Sequence, residues 1–159
     1  MKRRILLVDD DLAVLLTLKA VLELQGFEVE TAASSAEALA RMESGVYQMV
    51  ISDLRMETEE AGLEVIRAAR RQAYDPATAL LTAYPPSDEH RRGEHRDREG
   101  QDREEPDWSG VNSDSLLIKP LGTSDLLRQV EALLVRHADK QLRQRNAASK
   151  AQETGRQAG

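Results

Sequence analysis

Asp9 and Asp10 stand side by side directly after the short apolar run Ile5–Val8. Asp53 follows VIS at 50–52, Thr82 closes ALLT at 79–82, and Lys119 follows LLI at 116–118. One at a time these residues mean little: an Asp after a strand often caps the next helix, and a lone threonine or lysine is usually structural or solvated. An acid pair, a further acid, a hydroxyl and a lysine at the ends of four apolar runs form a constellation. Unit charges about 5 Å apart repel by about 3 kcal/mol at an effective dielectric near 20, so three converging carboxylates call for a cation. The chain has no cysteine and no histidine near these positions. Oxygen-only ligands suit a hard ion, Mg²⁺ in cells. A carboxylate beside such an ion can act as a nucleophile toward a phosphoryl group. That reaction asks a protein mainly for positioning and charge neutralisation. Lys119 offers a point positive charge for the phosphoryl oxygens and Thr82 a hydroxyl donor.

Those ends must be brought together by the elements before them. Arg4–Val8 reads as a strand apolar enough to be buried on both faces. Asp11 to Leu24 carries Leu12, Leu15, Leu18, Val21 and Leu22 at helical spacing, with Gly26 as its stop. Phe27–Thr31 reads as a second strand. A helix capped by Ser34 or Ser35 runs through Met42, with Gly45 after it. Tyr47–Ser52 is a third strand, Gly62 to Arg71 a helix, Ala77–Thr82 a fourth strand and Ser115–Ile118 a fifth. Thr123 to about Leu142 is a last helix, striped by Leu126, Leu127, Val130, Leu133 and Leu134. Strands alternating with helices predict an α/β fold, a doubly wound parallel sheet of five strands in the flavodoxin-like order 2-1-3-4-5. In such sheets, ligands bind beyond the carboxyl ends of the strands.

The 159 residues suit one domain with some excess. Aromatic residues are only 3%, so the core must be aliphatic. Absence of cysteine excludes disulfides and thiolate metal sites. No apolar run approaches the roughly 18 residues of a membrane span, and the first residues do not read as a secretory signal. A soluble, cytoplasmic protein with no membrane partner is expected. The net charge of −6 argues against broad nucleic-acid binding, although residues 136–159 are basic (Arg136, Lys140, Arg143, Arg145, Lys150, Arg156 against Asp139 and Glu153). That tail contains no recognisable DNA-binding element. Residues 87–107, SDEHRRGEHRDREGQDREEPD, hold no aliphatic or aromatic side chain and read as a solvated, disordered insertion, in which His90 and His95 belong to the charged run rather than to a metal site.

The motifs LLVDDD, VISDLRM, LLTAY and LLIKP together resemble the receiver domain of response regulators in two-component signalling, over about residues 3–136. The resemblance implies that Asp53 is the phosphoacceptor. It implies that Asp9, Asp10, Asp53 and the backbone carbonyl of Arg55 hold Mg²⁺, that Thr82 and Lys119 contact the phosphoryl group, and that the Lys119–Pro120 bond is cis. Arg55 and Tyr84 would flank that group and tune its loss to water. Asp11 is left to cap the first helix. The implied partners are a sensor histidine kinase or phosphotransfer protein and a downstream protein not identified by the sequence. The only catalysis implied is the chain's own phosphorylation and dephosphorylation.

Three departures from the family stand out. Glu57 follows Met56 where the family usually has proline, and METEEAG is one residue longer than usual. Leu116 stands where an aromatic is common. About fifteen residues more than usual separate Thr82 from Lys119. The excess coincides with the charged stretch, which replaces or distorts the helix expected between the fourth and fifth strands. The expected organisation is a receiver at 1–136, standing without an output domain, followed by a basic helix extension and tail at 137–159. Two alternatives remain at this stage: a degenerate receiver that binds a partner without phosphorylation, and a metal-dependent phosphohydrolase, for which no general acid is evident.

Overall fold

The computed structural model describes residues 2–58, 60–82, 116–118 and 122–157. The expected insertion at 87–107, with His90 and His95, lies outside them. In chain order the elements are β1 (Arg4–Val8), α1 (Leu12–Leu24), β2 (Glu28–Ala32), α2 (Ser35–Ser44), β3 (Met49–Asp53), α3 (Ala61–Arg70), β4 (Ala77–Thr82), β5 (Leu116–Ile118) and α4 (Thr123–Gln157). The strands form one five-stranded sheet in the order β2-β1-β3-β4-β5, and every pairing is parallel. This is the doubly wound architecture expected from the sequence.

Alternation along the strands sorts side chains between two cores. Ile5 and Leu7 of β1 join Met49 and Ile51 of β3 on the face covered by α1 and α4, whose Leu15, Leu22, Leu126 and Val130 complete that layer. Leu6, Val8 and Val50 face the other way, against Ala38 and Met42 of α2 and Val65 and Ala69 of α3. β1 is buried on both faces from Ile5 to Val8, which is why that run is apolar rather than alternating. Connections leave β1 toward β2 on one side and β3 toward β4 on the other, so a topological switch point lies between β1 and β3.

Local chemistry fixes the helix ends. The α1 C-terminus closes on Gly26, whose φ of 88° is left-handed. Its N–H donates to Glu23 O (3.0 Å) and that of Phe27 to Leu22 O (3.2 Å). α2 starts in a capping box: the Glu37 N–H donates to Ser34 Oγ (3.2 Å), and Glu37 Oε2 accepts from the Ala33 N–H (3.0 Å).

α4 differs from expectation. The apolar stripe stops at Leu134 and the sequence reading ends the helix at about Leu142, but the structure carries it to Gln157. Residues 143–157 are mostly Arg, Gln, Lys, Ala and Glu, with no proline and one glycine, Gly155, in the last turn, so propensity sustains the helix where burial no longer does. Arg143 also pairs with Asp139 one turn earlier (3.1 Å). Below the sheet α4 is pinned to the turn before β4. Asp75 there has a φ of 46°, a conformation Asp tolerates better than most residues. Its carbonyl accepts from His137 Nε2–H (2.8 Å) and from Gln141 Nε2 (3.2 Å), and its carboxylate accepts a further bond from Gln141 (3.0 Å).

Candidate functional site

Register places the acidic residues at the switch point. Val8 pairs with Ser52, so Asp9 and Asp53 are the next residues of adjacent strands. Asp53 is the last residue of β3 and is partly buried, Asp9 is buried at 1% exposure, and Asp10 is exposed. One carboxylate oxygen from each of the three lies within 4.8 Å of the others. Among the described residues this is the group of acids and histidines arranged as a metal site would require. The donors are all carboxylate oxygens, which fits a hard divalent cation and not a thiolate or imidazole metal. Asp9 Oδ1 also accepts the Asp11 N–H (2.9 Å), which holds its carboxylate in place at the turn into α1.

Asp11 does a different job. Its side chain accepts from the N–H groups of Ala13 (3.0 Å) and Val14 (3.4 Å) and caps α1. Capping fixes the direction in which α1 leaves the site. Leu12 and Leu16 of the same helix are exposed at 67% and 58%.

Thr82 ends β4 and is 4% exposed. Asp53 is in register with Leu81, so Thr82 is one residue beyond the acid on the neighbouring strand. Thr82 is in turn in register with Ile118. Lys119, the residue after Ile118, lies outside the described residues, as do Pro120 and Tyr84. Arg55 is exposed in the segment that leaves β3.

Two features that hold this site were not anticipated from the sequence. The first is Gly62. A Cβ there would sit 2.0 Å from the Asp53 carbonyl oxygen and 2.6 Å from Leu54 Cα, so only glycine lets α3 start this close to β3. Its N–H donates to Leu54 O (2.9 Å), and the Leu54 N–H donates to Leu81 O (2.9 Å). The second is Glu57. Its Oε1 accepts from the Ser35 N–H (2.9 Å) and from the Ser35 hydroxyl, tying the segment after β3 to the first residue of α2. Burial raises the Glu57 carboxyl, but the Ser35 hydroxyl and the N–H groups of Glu57 and Ser35 outweigh it and hold the group below the usual range. The spacing Ser-x-x-Glu at 34–37 announces its own helix cap; nothing comparable in the sequence announces a contact from Glu57 back to Ser35.

Residues 5–96 match the family model described as the response regulator receiver domain. The chain belongs to this family. Curated relatives of this receiver include a transcriptional regulatory protein CpxR homolog of Haemophilus influenzae, 33% identical over 135 residues, covering 85% of this chain and 52% of that protein. The transcriptional regulatory protein PrrA of Mycobacterium tuberculosis is 32% identical over 133 residues, covering 84% of this chain and 50% of that protein. The chain thus spans about half the length of the curated relatives it matches. Among solved structures, a CheY-like receiver of Methanospirillum hungatei superposes with a TM-score of 0.69 at 27% identity, covering 88% of this chain and 99% of that one. The response regulator TrrA of Thermotoga maritima, solved in complex with Mg²⁺ and BeF, gives a TM-score of 0.62 at 32% identity, covering 82% of this chain and 98% of that one. Receivers are signalling domains of two-component systems. No helix among the described residues is long and apolar enough to cross a membrane.

Proposed function

We propose that this receiver accepts a phosphoryl group on Asp53 from the phosphohistidine of a sensor histidine kinase or phosphotransfer protein and relays the event to a downstream protein through a change in surface. The observation that carries the reading is the convergence of the Asp9, Asp10 and Asp53 carboxylates at the switch point of the sheet. Asp9, Asp10, Asp53 and the Arg55 backbone carbonyl would hold Mg²⁺, as the TrrA complex suggests by analogy. When bound, the ion supplies charge neutralisation for the phosphoryl oxygens.

The chain's own residues do the rest. An Asp53 carboxylate oxygen attacks phosphorus, the new O–P bond forms, the P–N bond to the donor imidazole breaks, and the freed ring nitrogen keeps the electron pair and takes a proton from solvent. Asp9, bonded to the Asp11 N–H, holds its carboxylate beside that of Asp53. Thr82 and Lys119 contact the transferred group and bias a two-state equilibrium of the domain. The exposed Leu12 and Leu16 offer the phosphodonor an apolar landing surface on α1, the helix that follows Asp9–Asp11. The receiver spans about residues 1–136 with a basic extension after it, and works in the cytoplasm, where such kinases present their phosphohistidine.

The test is intact mass after incubation with Mg²⁺ and acetyl phosphate. One added phosphoryl group, absent in Asp53→Ala and absent without Mg²⁺, is the expected result. No adduct under rapid quenching, together with partner binding that Asp53→Ala leaves unchanged, would overturn it in favour of a phosphorylation-independent binding module.

A further inference from the structure

The segment between β3 and α3, LRMETEE at 54–60, contains neither proline nor glycine, so nothing in its sequence limits its backbone beyond ordinary sterics. Its two ends are tied down: Leu54 by its bond to Leu81 O, and the α3 start by the Gly62 bond to Leu54 O. Between them lies Arg55, whose carbonyl is read above as a metal ligand. Met56 is partly buried against the core layer of α2 and α3, and its N–H donates to Thr58 O (3.2 Å). Glu57 then reaches out of the segment to Ser35. The anchor at the far end is stiff, because Ser34 and Glu37 have already closed the α2 N-terminus in a capping box around Ser35. β2, immediately before that box, is joined to the site as well, since the Asp9 N–H donates to Ala32 O (3.1 Å). The clasp therefore closes a ring: Asp9 to β2, β2 to the α2 cap, the cap to Glu57, and Glu57 back along the chain to Asp53.

We propose that Glu57 is a positioning residue for the acidic site: by clasping Ser35 it fixes the path of residues 54–58 and so sets the affinity of the Asp9–Asp10–Asp53 cluster for Mg²⁺. The inference rests on the reading of that cluster as the Mg²⁺ site. It makes a prediction that depends on the bond and not on the charge. Glu57→Gln keeps a carbonyl oxygen to accept both Ser35 donors while removing the negative charge; Ser35→Ala keeps the charge and removes the hydroxyl; Glu57→Ala removes both.

The experiment is calorimetric titration of Mg²⁺ into the full, metal-stripped chain, with Asp53→Asn as the control for the site itself and thermal melting of each variant alongside. Glu57→Ala is expected to weaken Mg²⁺ binding roughly three- to tenfold, with Ser35→Ala intermediate and Glu57→Gln within about twofold of wild type. The proposal is overturned if Glu57→Gln weakens Mg²⁺ as much as Glu57→Ala, since the effect would then be charge alone. It is also overturned if Glu57→Ala lowers the melting temperature but leaves Mg²⁺ affinity unchanged, since the clasp would then be purely structural. Wild type that binds no Mg²⁺, or binds it as well as Asp53→Asn does, would remove the metal-site reading first and this inference with it.

Discussion

Asp9→Asn is expected to stabilise the metal-free protein while removing most of its response to Mg²⁺. The three carboxylates lie within 4.8 Å of one another, and Asp9 takes part in two of the three pairs. At that separation each pair costs about 3.5 kcal/mol at an effective dielectric near 20 and about 0.9 kcal/mol in bulk water. Removing two pairs is therefore worth roughly 2 to 7 kcal/mol before screening. Asp10 is exposed and Asp53 only partly buried, so solvent pulls the sum to the low end, about 2 kcal/mol. Asparagine keeps an Oδ1 acceptor for the Asp11 N–H, so that hydrogen bond survives. For a chain of this size about 2 kcal/mol raises the melting temperature by roughly 4–8 °C. The assay is thermal unfolding by circular dichroism, in chelator and in saturating Mg²⁺. Wild type should gain from Mg²⁺ and the variant should not, so that the two swap order. A variant that melts at or below wild type in chelator would refute the electrostatic reasoning; an equal Mg²⁺ shift in both would refute the ligand assignment.

Other consequences are open to measurement. Gly62→Ala drives a methyl into the Asp53 carbonyl and should cost upwards of about 2 kcal/mol in denaturant unfolding, with a loss of acetyl phosphate labelling larger than the residual unfolded fraction explains; wild-type stability would show that α3 can move away freely. Leu16→Glu should leave labelling by acetyl phosphate intact and slow transfer from a phosphorylated kinase by about tenfold or more, and equal slowing of both would point to damage of the site itself. The Glu30 carboxyl is held below its ordinary value by the Tyr47 hydroxyl, against an opposing contribution from burial, with help from the charge and hydrogen bond of Arg4 and the charge of Arg41. A depressed folded pKa means the stabilisation is fully present above the unfolded value near 4.5 and fades as pH falls through the folded one. Tyr47→Phe should flatten the acid limb of the urea midpoint against pH, and parallel curves for the two proteins would contradict this.

The fold and the acidic cluster were legible because their signals are local. β1 announces itself by four consecutive apolar residues; Asp9 follows that strand directly, and Asp53 and Thr82 close theirs. Once the strand order is fixed, proximity follows from register alone. What the sequence concealed are contacts between distant positions. Glu57 and Ser35 are 22 residues apart, and His137 and Asp75 are 62 apart. No periodicity or cap rule links such pairs; they meet only because α2 sits beside the exit of β3 and α4 passes under the start of β4. Gly62 was visible as a glycine at a helix start, but the backbone it must approach was not. The end of α4 was misplaced for a different reason. Hydrophobic periodicity reports burial, and the last turns of this helix are exposed.

The pin under the sheet gives α4 a mechanical character. A 35-residue helix measures about 52 Å, and the stretch from Gln141 to Gln157 overhangs its last anchor by about 24 Å. That anchor, Asp75, stands just before β4, and Thr82 closes the same strand about 20 Å away. One strand thus runs from the residue one step beyond Asp53 on the neighbouring strand to the fulcrum of the arm. A tilt of about 5° at the fulcrum would sweep the far tip through about 2 Å, a displacement large enough to make or break a side-chain contact from a change too small to disturb the core.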